Sequence, residues 1–184
     1  MTLIVGLGNP TKRYERTRHN AGFLAVDRLI ERLKPVDISK SAFKGATLKS
    51  GDLALLKPTT YMNLCGESVC AVKNFYKPET IIVAHDDIDL PFGALRFKFG
   101  GASGGHNGLK SIDALCGAEY VRVRMGVGRP SGDQNVVDYL LSVWSADEAA
   151  LLDKWTNQAA DAILDLVCSP LERVQSTRTQ SCAQ

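Results

Sequence analysis

Residues 3–23 read LIVGLGNPTKRYERTRHNAGF. Leu3, Ile4 and Val5 form a short apolar run that ends at Gly6, the pattern of a buried strand. Beyond it, Phe23, Val26, Ile30 and Leu33 fall on one helical face, and Pro35 stops that helix. A strand, a glycine-rich turn and a helix in this order open an α/β fold and raise the question of a phosphate cradle. The residues argue against a dinucleotide. The G-x-G-x-x-G fingerprint needs a third glycine for close helix–strand packing, and Thr11 stands there. Pro10 removes a backbone N–H that would face a pyrophosphate. The helix begins near Asn20, about ten residues too late for such a fold, and no acidic residue ends a following strand at the required distance.

Working outward, residues 53–56 read as a strand broken by Lys57-Pro58, and Val69, Val72 and Tyr76 mark a helix ending near Pro78. Residues 81–84, Ile-Ile-Val-Ala, are the clearest buried strand. Residues 95–99 and 120–125 alternate apolar and basic side chains, as half-exposed strands do, and the glycine-rich stretch 100–108 between them leads into a short helix. Ser145 and Glu148 fit a capping box for a long helix whose apolar stripe is Leu152, Trp155, Ala159, Ala162 and Leu166. Ser169-Pro170 restarts a shorter helix, and the polar tail from Ser176 reads as frayed. The expectation is one α/β domain over residues 1–184: a twisted, mixed, mostly parallel sheet flanked by helices, with antiparallel pairing around residues 95–125.

The composition, 45% hydrophobic and 23% charged, is that of a soluble globular chain. No apolar run approaches the ~20 residues of a membrane span, and the N-terminus lacks the basic segment and cleavage site of a signal peptide. Cys65, Cys70, Cys116, Cys168 and Cys182 are odd in number and never spaced C-x-x-C, which points to reduced thiols in the cytosol. The net charge of +2 says little, but its distribution says more. Lys12, Arg13, Arg16 and Arg18 crowd the opening loop, Arg122, Arg124 and Arg129 cluster later, and acidic residues are denser over residues 133–165. A basic face for phosphates and plain solvated charge both fit this pattern.

Ligands of open α/β sheets bind beyond the carboxyl ends of the strands. Four polar clusters follow apolar strands here: Asn9 with His19, Tyr61-Met62-Asn63, His85-Asp86-Asp87 and Gly105-His106-Asn107. Parallel neighbouring strands would bring them to one cleft. Alternation along residues 81–86 makes His85 structural and puts Asp86 at the strand's exit. A carboxylate there can hold a histidine Nδ1–H, leave Nε2 as a base and raise its pKa from about 6.5. Blander readings remain open at this point. His19, Asn63 and Asn107 fit helix caps, Asp86, Asp87 and Asp89 fit turn chemistry, and the glycines fit packing or flexibility. A metal held by His85, Asp86, Asp87 and His106 matches no strong ligand spacing.

The opening stretch GLGNPTKRYERTRHNAGF resembles the signature of the bacterial-type peptidyl-tRNA hydrolases. So, in the same order, do KPTTYMN at 57–63, AHDDIDLPFG at 84–93, FGGASGGHNGLKSI at 99–112 and RVRMGVGRP at 122–130. The resemblance implies a cytosolic, monomeric esterase that needs no metal or cofactor and cleaves the bond between a peptide's carboxyl end and the 3′-terminal ribose of tRNA. It implies that His19 is the general base for water and that Asp86 orients it. Asn9 matches the residue that separates blocked from free aminoacyl esters. Asn63 and Asn107 match residues that bind substrate and position the water or polarise the carbonyl. Tyr14 and Tyr61 match contacts to the tRNA 3′ CCA end, with Met62 bordering the cleft. Lys98 and Arg124 match grips on tRNA acceptor-stem phosphate, and the basic faces of both strands, Arg96 and Arg122 included, are expected to supply such contacts. Three departures stand out: Thr11 replaces a usual glycine, Cys65 a frequent serine, and the segment from Glu172 follows the family only loosely. A non-catalytic RNA-binding relative on the same scaffold is the alternative; a generic nucleotide binder is disfavoured by the broken glycine fingerprint.

Overall fold

The computed structural model describes residues 1–182. Strand β1 (Thr2–Gly6) runs parallel between β4 (Leu53–Pro58) and β5 (Thr80–Asp87), and β5 is followed by the parallel β7 (Val121–Gly126). Antiparallel strands complete the sheet: β6 (Leu95–Phe99) beside β7, and β3 (Gly45–Ser50) with the short β2 (Val36–Asp37) beside β4. The order across the seven strands is β2-β3-β4-β1-β5-β7-β6. This is the expected mixed sheet, with its parallel strands at the centre, where burial on both faces rewards the apolar runs of β1 and β5.

Alternation divides the core into two layers. Ile4, Leu55, Ile82 and Val123 pack under α1 (Ala21–Leu33) and α5 (Ala146–Cys168), with Val174 of α6 (Leu171–Arg178) at the margin. Leu3, Val5, Leu56 and Val83 pack on the other face under α2 (Cys65–Tyr76) and α3 (Asn107–Cys116). The capping box at Ser145 and Glu148 starts α5, whose stripe buries Trp155, Ala159, Ala162 and Leu166. Helix α1 begins hard against the sheet. A Cβ on Gly22 would lie 2.2 Å from the Ala84 carbonyl oxygen and 2.5 Å from the Leu7 nitrogen. Only glycine permits that approach, which sets the start of α1 at the exits of β1 and β5.

Several local readings change. Strand β4 continues through Lys57-Pro58, with Pro58 opposite Gly45. Proline is tolerated there because β1 pairs with β4 only as far as Leu56, so the missing N–H faces no partner strand. The β2–β3 hairpin and α4 (Val136–Leu140) carry no clear sequence period and were not anticipated. The tail expected to fray from Ser176 instead extends α6 to Arg178. Gln180 then exchanges two backbone hydrogen bonds with Leu95, 3.0 and 3.2 Å, which covers the open edge of β6. No helix of the described residues is long and apolar enough to cross a membrane.

Candidate active site

Beyond β1 the chain leaves the sheet, loops out through Lys12 and Arg13, and returns in a 3-10 turn, Arg18–Asn20, directly before α1. Arg18 anchors that turn. Its guanidinium stacks 4.4 Å from the Tyr139 ring centre and donates to Ser142 Oγ, the Val143 carbonyl and Glu148, each at 2.6 Å. His19 is thereby delivered over the end of β5. Its Nδ1–H donates to Asp86 Oδ2 at 2.8 Å.

His106 engages the other oxygen of the same carboxylate, Nε2 to Asp86 Oδ1 at 2.8 Å. Its Nδ1 accepts from the Gly108 and Leu109 amides at 3.0 and 3.3 Å and so caps α3. Because Nδ1 accepts, Nε2 must carry the proton. Asp86, 1% exposed, is thus fixed from both sides. Burial alone would raise its pKa, but His19 and His106 outweigh that and hold it well below the usual carboxylate range. Burial likewise lowers the His19 pKa, and the charge and hydrogen bond of Asp86 more than reverse this, leaving it raised. His85 is structural, as alternation indicated: Nδ1–H donates to the Asp86 carbonyl at 2.8 Å, and burial, then His106, lowers its pKa to about 4.

His19, Asp86 and His106 bring donor atoms within 4.8 Å of one another, the spacing of a possible metal group. Three of their four ring nitrogens are already committed, to Asp86 or to the α3 amides, which leaves His19 Nε2 outside these bonds. A hydrogen-bonded triad presenting one basic nitrogen describes this geometry better than a ligand set. The four-residue metal grouping weighed from sequence is not assembled, since Asp87 is held by Arg124 Nε at 2.8 Å and His85 by the main chain.

Asn9 is buried at the exit of β1. Its Oδ1 accepts from the Met62 amide at 2.8 Å, which leaves Nδ2 as the group it can present to a ligand. Its backbone is held by Asn20, whose Oδ1 accepts from Asn9 N–H at 2.8 Å and whose Nδ2 donates to the Asn9 carbonyl at 2.9 Å. Asn63 lies in the 3-10 turn Met62–Leu64 that leads into α2, and Asn107 is the first residue of α3; both are exposed. Neither works as a cap: the turn holding Asn63 has no side-chain cap bond, and His106 caps α3. The two helices pack side by side, with Cys65 Sγ donating to the Gly108 carbonyl at 3.3 Å. Burial pushes that thiol up to about 12, so it stays protonated and remains a donor. Tyr61 has φ 63° and ψ 161°, a region almost confined to glycine, and meets Tyr14 edge-on at 6.2 Å.

A cleft of about 420 Å³ extends from Asp86 and His106 along the glycine-rich loop to Lys98 and Arg124. These two basic residues share it with Asp86 and His106, Arg124 already paired with Asp87. The other two arginines of these strands do not fit the expected phosphate role. Arg122 is 1% exposed because the loop folds over it and takes its guanidinium on the Ala102 and Gly101 carbonyls at 2.6 and 2.8 Å. Arg96 is turned to the tail, donating to the Leu95 and Gln180 carbonyls. Alternation puts arginines on one face correctly but cannot show that a distant segment covers that face.

Two members of the constellation escaped the sequence reading. His106 stood in a recognised cluster without its bond to Asp86, and Asn20 was noted only as the place where a helix begins. The one available signal was their position, each next to a proposed site residue.

The sequence profile of the family described as peptidyl-tRNA hydrolase matches residues 3–183. A peptidyl-tRNA hydrolase of Sulfurovum sp. (strain NBC37-1) is 51% identical over 178 residues, covering 96% of this chain and 94% of the relative. The one from Campylobacter jejuni is 52% identical over 168 residues, 91% of each. Among solved structures, the Arg119Gln mutant of peptidyl-tRNA hydrolase from Acinetobacter baumannii superimposes with a TM-score of 0.91 at 35% identity, covering 98% of this chain and 95% of that one.

Proposed function

The chain belongs to the peptidyl-tRNA hydrolase family and is a hydrolase of that class, and from this premise we propose how its residues carry out the reaction. The substrate is peptidyl-tRNA, and the bond cleaved is the ester joining the peptide's carboxyl end to the 3′-terminal ribose. His19 Nε2 takes a proton from water as the water attacks the ester carbonyl. Asp86 keeps the Nδ1–H tautomer and stabilises the imidazolium that forms, and His106 holds Asp86 in place. The observation that carries this reading is the His19–Asp86–His106 arrangement, which leaves a single basic nitrogen free.

The chemistry is proportionate to the machinery. An ester has a fair leaving group, so a positioned water and base suffice without a covalent intermediate. General-base action supplies roughly 10²–10⁴-fold, and an amide donor on the developing oxyanion about 10²–10³-fold. Asn63 and Asn107, at the starts of α2 and α3, are placed to supply such donors and to hold the water. Asn9 presents Nδ2, a donor suited to the carbonyl of a blocked substrate. Tyr14, Tyr61 and Met62 border the place of the CCA end, while Lys98 and Arg124 receive acceptor-stem phosphate. Such backbone contacts suit a cytosolic, monomeric enzyme that meets many tRNAs.

Retention of the base with its fixed carboxylate favours the enzyme over a non-catalytic RNA-binding relative. The purified protein, in the presence of a chelator, is expected to release the acyl-amino acid from N-acylaminoacyl-tRNA. Tight tRNA binding with no release would favour the binding relative instead.

A further inference from the structure

The loop from Pro10 to Arg18 carries no regular ladder of its own, yet it separates Asn9, read as the acyl-recognising residue, from the proposed base His19. Its ends are tied by the Phe23 N–H to the Leu7 carbonyl at 3.2 Å and, at Asn9 itself, by one side chain. Asn20 is 2% exposed, and its amide lies along the backbone of Asn9 like an added peptide unit, with 2.8 Å and 2.9 Å hydrogen bonds to the Asn9 N–H and carbonyl. The Asn9 side chain is fixed separately, by the Met62 amide at 2.8 Å. Backbone and side chain of Asn9 are therefore set by different partners, and the direction of its Nδ2 depends on both.

We propose that Asn20 is the positioning residue for Asn9, and that discrimination between blocked and free aminoacyl esters requires its two hydrogen bonds to the Asn9 backbone. This rests on the reading of Asn9 as the acyl-recognising residue. The chemistry favours a held donor. Asn9 Nδ2–H can meet the carbonyl oxygen of an N-acyl group. The protonated amine of a free ester is itself a donor and finds no acceptor there, because Oδ1 is spent on Met62. If the Asn9 backbone is released, the amide can turn and offer Oδ1 to that amine, and the distinction is lost. Asn20 makes no hydrogen bond to Asp86 or His106, and the turn carrying His19 is anchored independently through Arg18. Selectivity and the titration of the base are thus separable.

The test is the ratio of kcat/KM for N-acetylaminoacyl-tRNA to that for the same unblocked aminoacyl-tRNA, measured across pH. Asn20→Ala removes both bonds, and Asn20→Asp keeps the acceptor for Asn9 N–H but loses the donor to the carbonyl. Each is expected to lower the ratio by about tenfold, with the acid limb of the pH profile where the wild type has it. Equal losses on both substrates, with the ratio unchanged, would overturn the proposal. Asn9→Ala distinguishes the two levels: an unchanged ratio there removes the reading of Asn9 and this inference with it. A collapsed ratio in Asn9→Ala beside an intact one in Asn20→Asp overturns this inference alone. On the unmodified protein, slow hydrogen exchange at Asn9 N–H is expected; rapid exchange contradicts the clamp whether or not the variants fold.

Discussion

His19 and His106 lie with ring centres 5.1 Å apart and donate to opposite oxygens of one buried carboxylate, Asp86. The second donor fixes the carboxylate plane, so the first imidazole is aimed as well as charged. It also draws on the same negative charge, so His106 limits how far Asp86 raises the His19 pKa. His106→Ala is therefore expected to lower kcat by about tenfold or more, the size of a lost hydrogen bond to a charged group. It should also move the acid limb of kcat/KM to higher pH. A profile that keeps its limb and height would take His106 out of the constellation.

Asp86→Asn acts in the opposite sense. His19 must be neutral to accept a proton, so activity falls on the acid side as the pH drops through its raised pKa, above about 6.5. Removing the carboxylate leaves burial unopposed, and burial lowers the imidazole pKa. The limb should move down while the rate falls. An upward shift would contradict the role given to Asp86.

Stability depends on pH through the same groups. Folding raises the His19 pKa, so its contribution is present below about 6.5 and fades as the pH climbs through the raised value. Folding lowers His85 to about 4, so its contribution holds above about 6.5 and is lost as the pH falls towards 4. Over that window His85 accounts for up to about 3 kcal/mol. Urea unfolding of His85→Phe, neutral at every pH, should show a shallower decline between pH 6.5 and 4. An unchanged slope would place the acid sensitivity elsewhere.

The basic residues of β6 and β7 should separate into two kinds. Lys98→Ala and Arg124→Ala are expected to raise KM and flatten its dependence on salt, as loss of a phosphate contact does. Arg122→Ala should leave the salt dependence alone and destabilise the fold by about 2–4 kcal/mol, because it empties the place of a buried guanidinium and removes its bonds to the Gly101 and Ala102 carbonyls and to Asp113. If Arg122→Ala flattens the salt dependence instead, phosphate reaches deeper into the cleft than the covered guanidinium allows.

Thr11, at φ 82°, holds a backbone conformation that a β-branched side chain resists. Thr11→Gly, which removes the side chain that this φ strains, should stabilise the protein by about 1 kcal/mol after the entropy of the freer unfolded chain is subtracted. A lower melting temperature would show that the loop relies on the threonine.

What could be read in advance followed locality. Strands β1 and β5 announce themselves by apolar runs, α5 by a capping box and stripe, and Asp86 by its place in the alternation of β5. The β2–β3 hairpin offers no unbroken apolar run, only Val36, Ala46 and Leu48 among polar residues, and α4 begins on Val136-Val137, residues that favour strands. The cover over Arg122, the pairing of Gln180 with Leu95 and the bond from His106 to Asp86 are all tertiary. Each joins segments 20 or more positions apart in the chain, where no short-range pattern reaches. Asn20 was overlooked for another reason: an asparagine before a helix has an ordinary role as a cap, and here its amide turns back to Asn9 instead.

The measurement that tests the account most directly is single-turnover release from N-acylaminoacyl-tRNA by His19→Ala, with tRNA affinity determined on the same preparation. Release is expected to fall by at least ~10²-fold, while affinity stays within a few-fold of wild type. Release at the wild-type rate would contradict the assignment of His19 as the base.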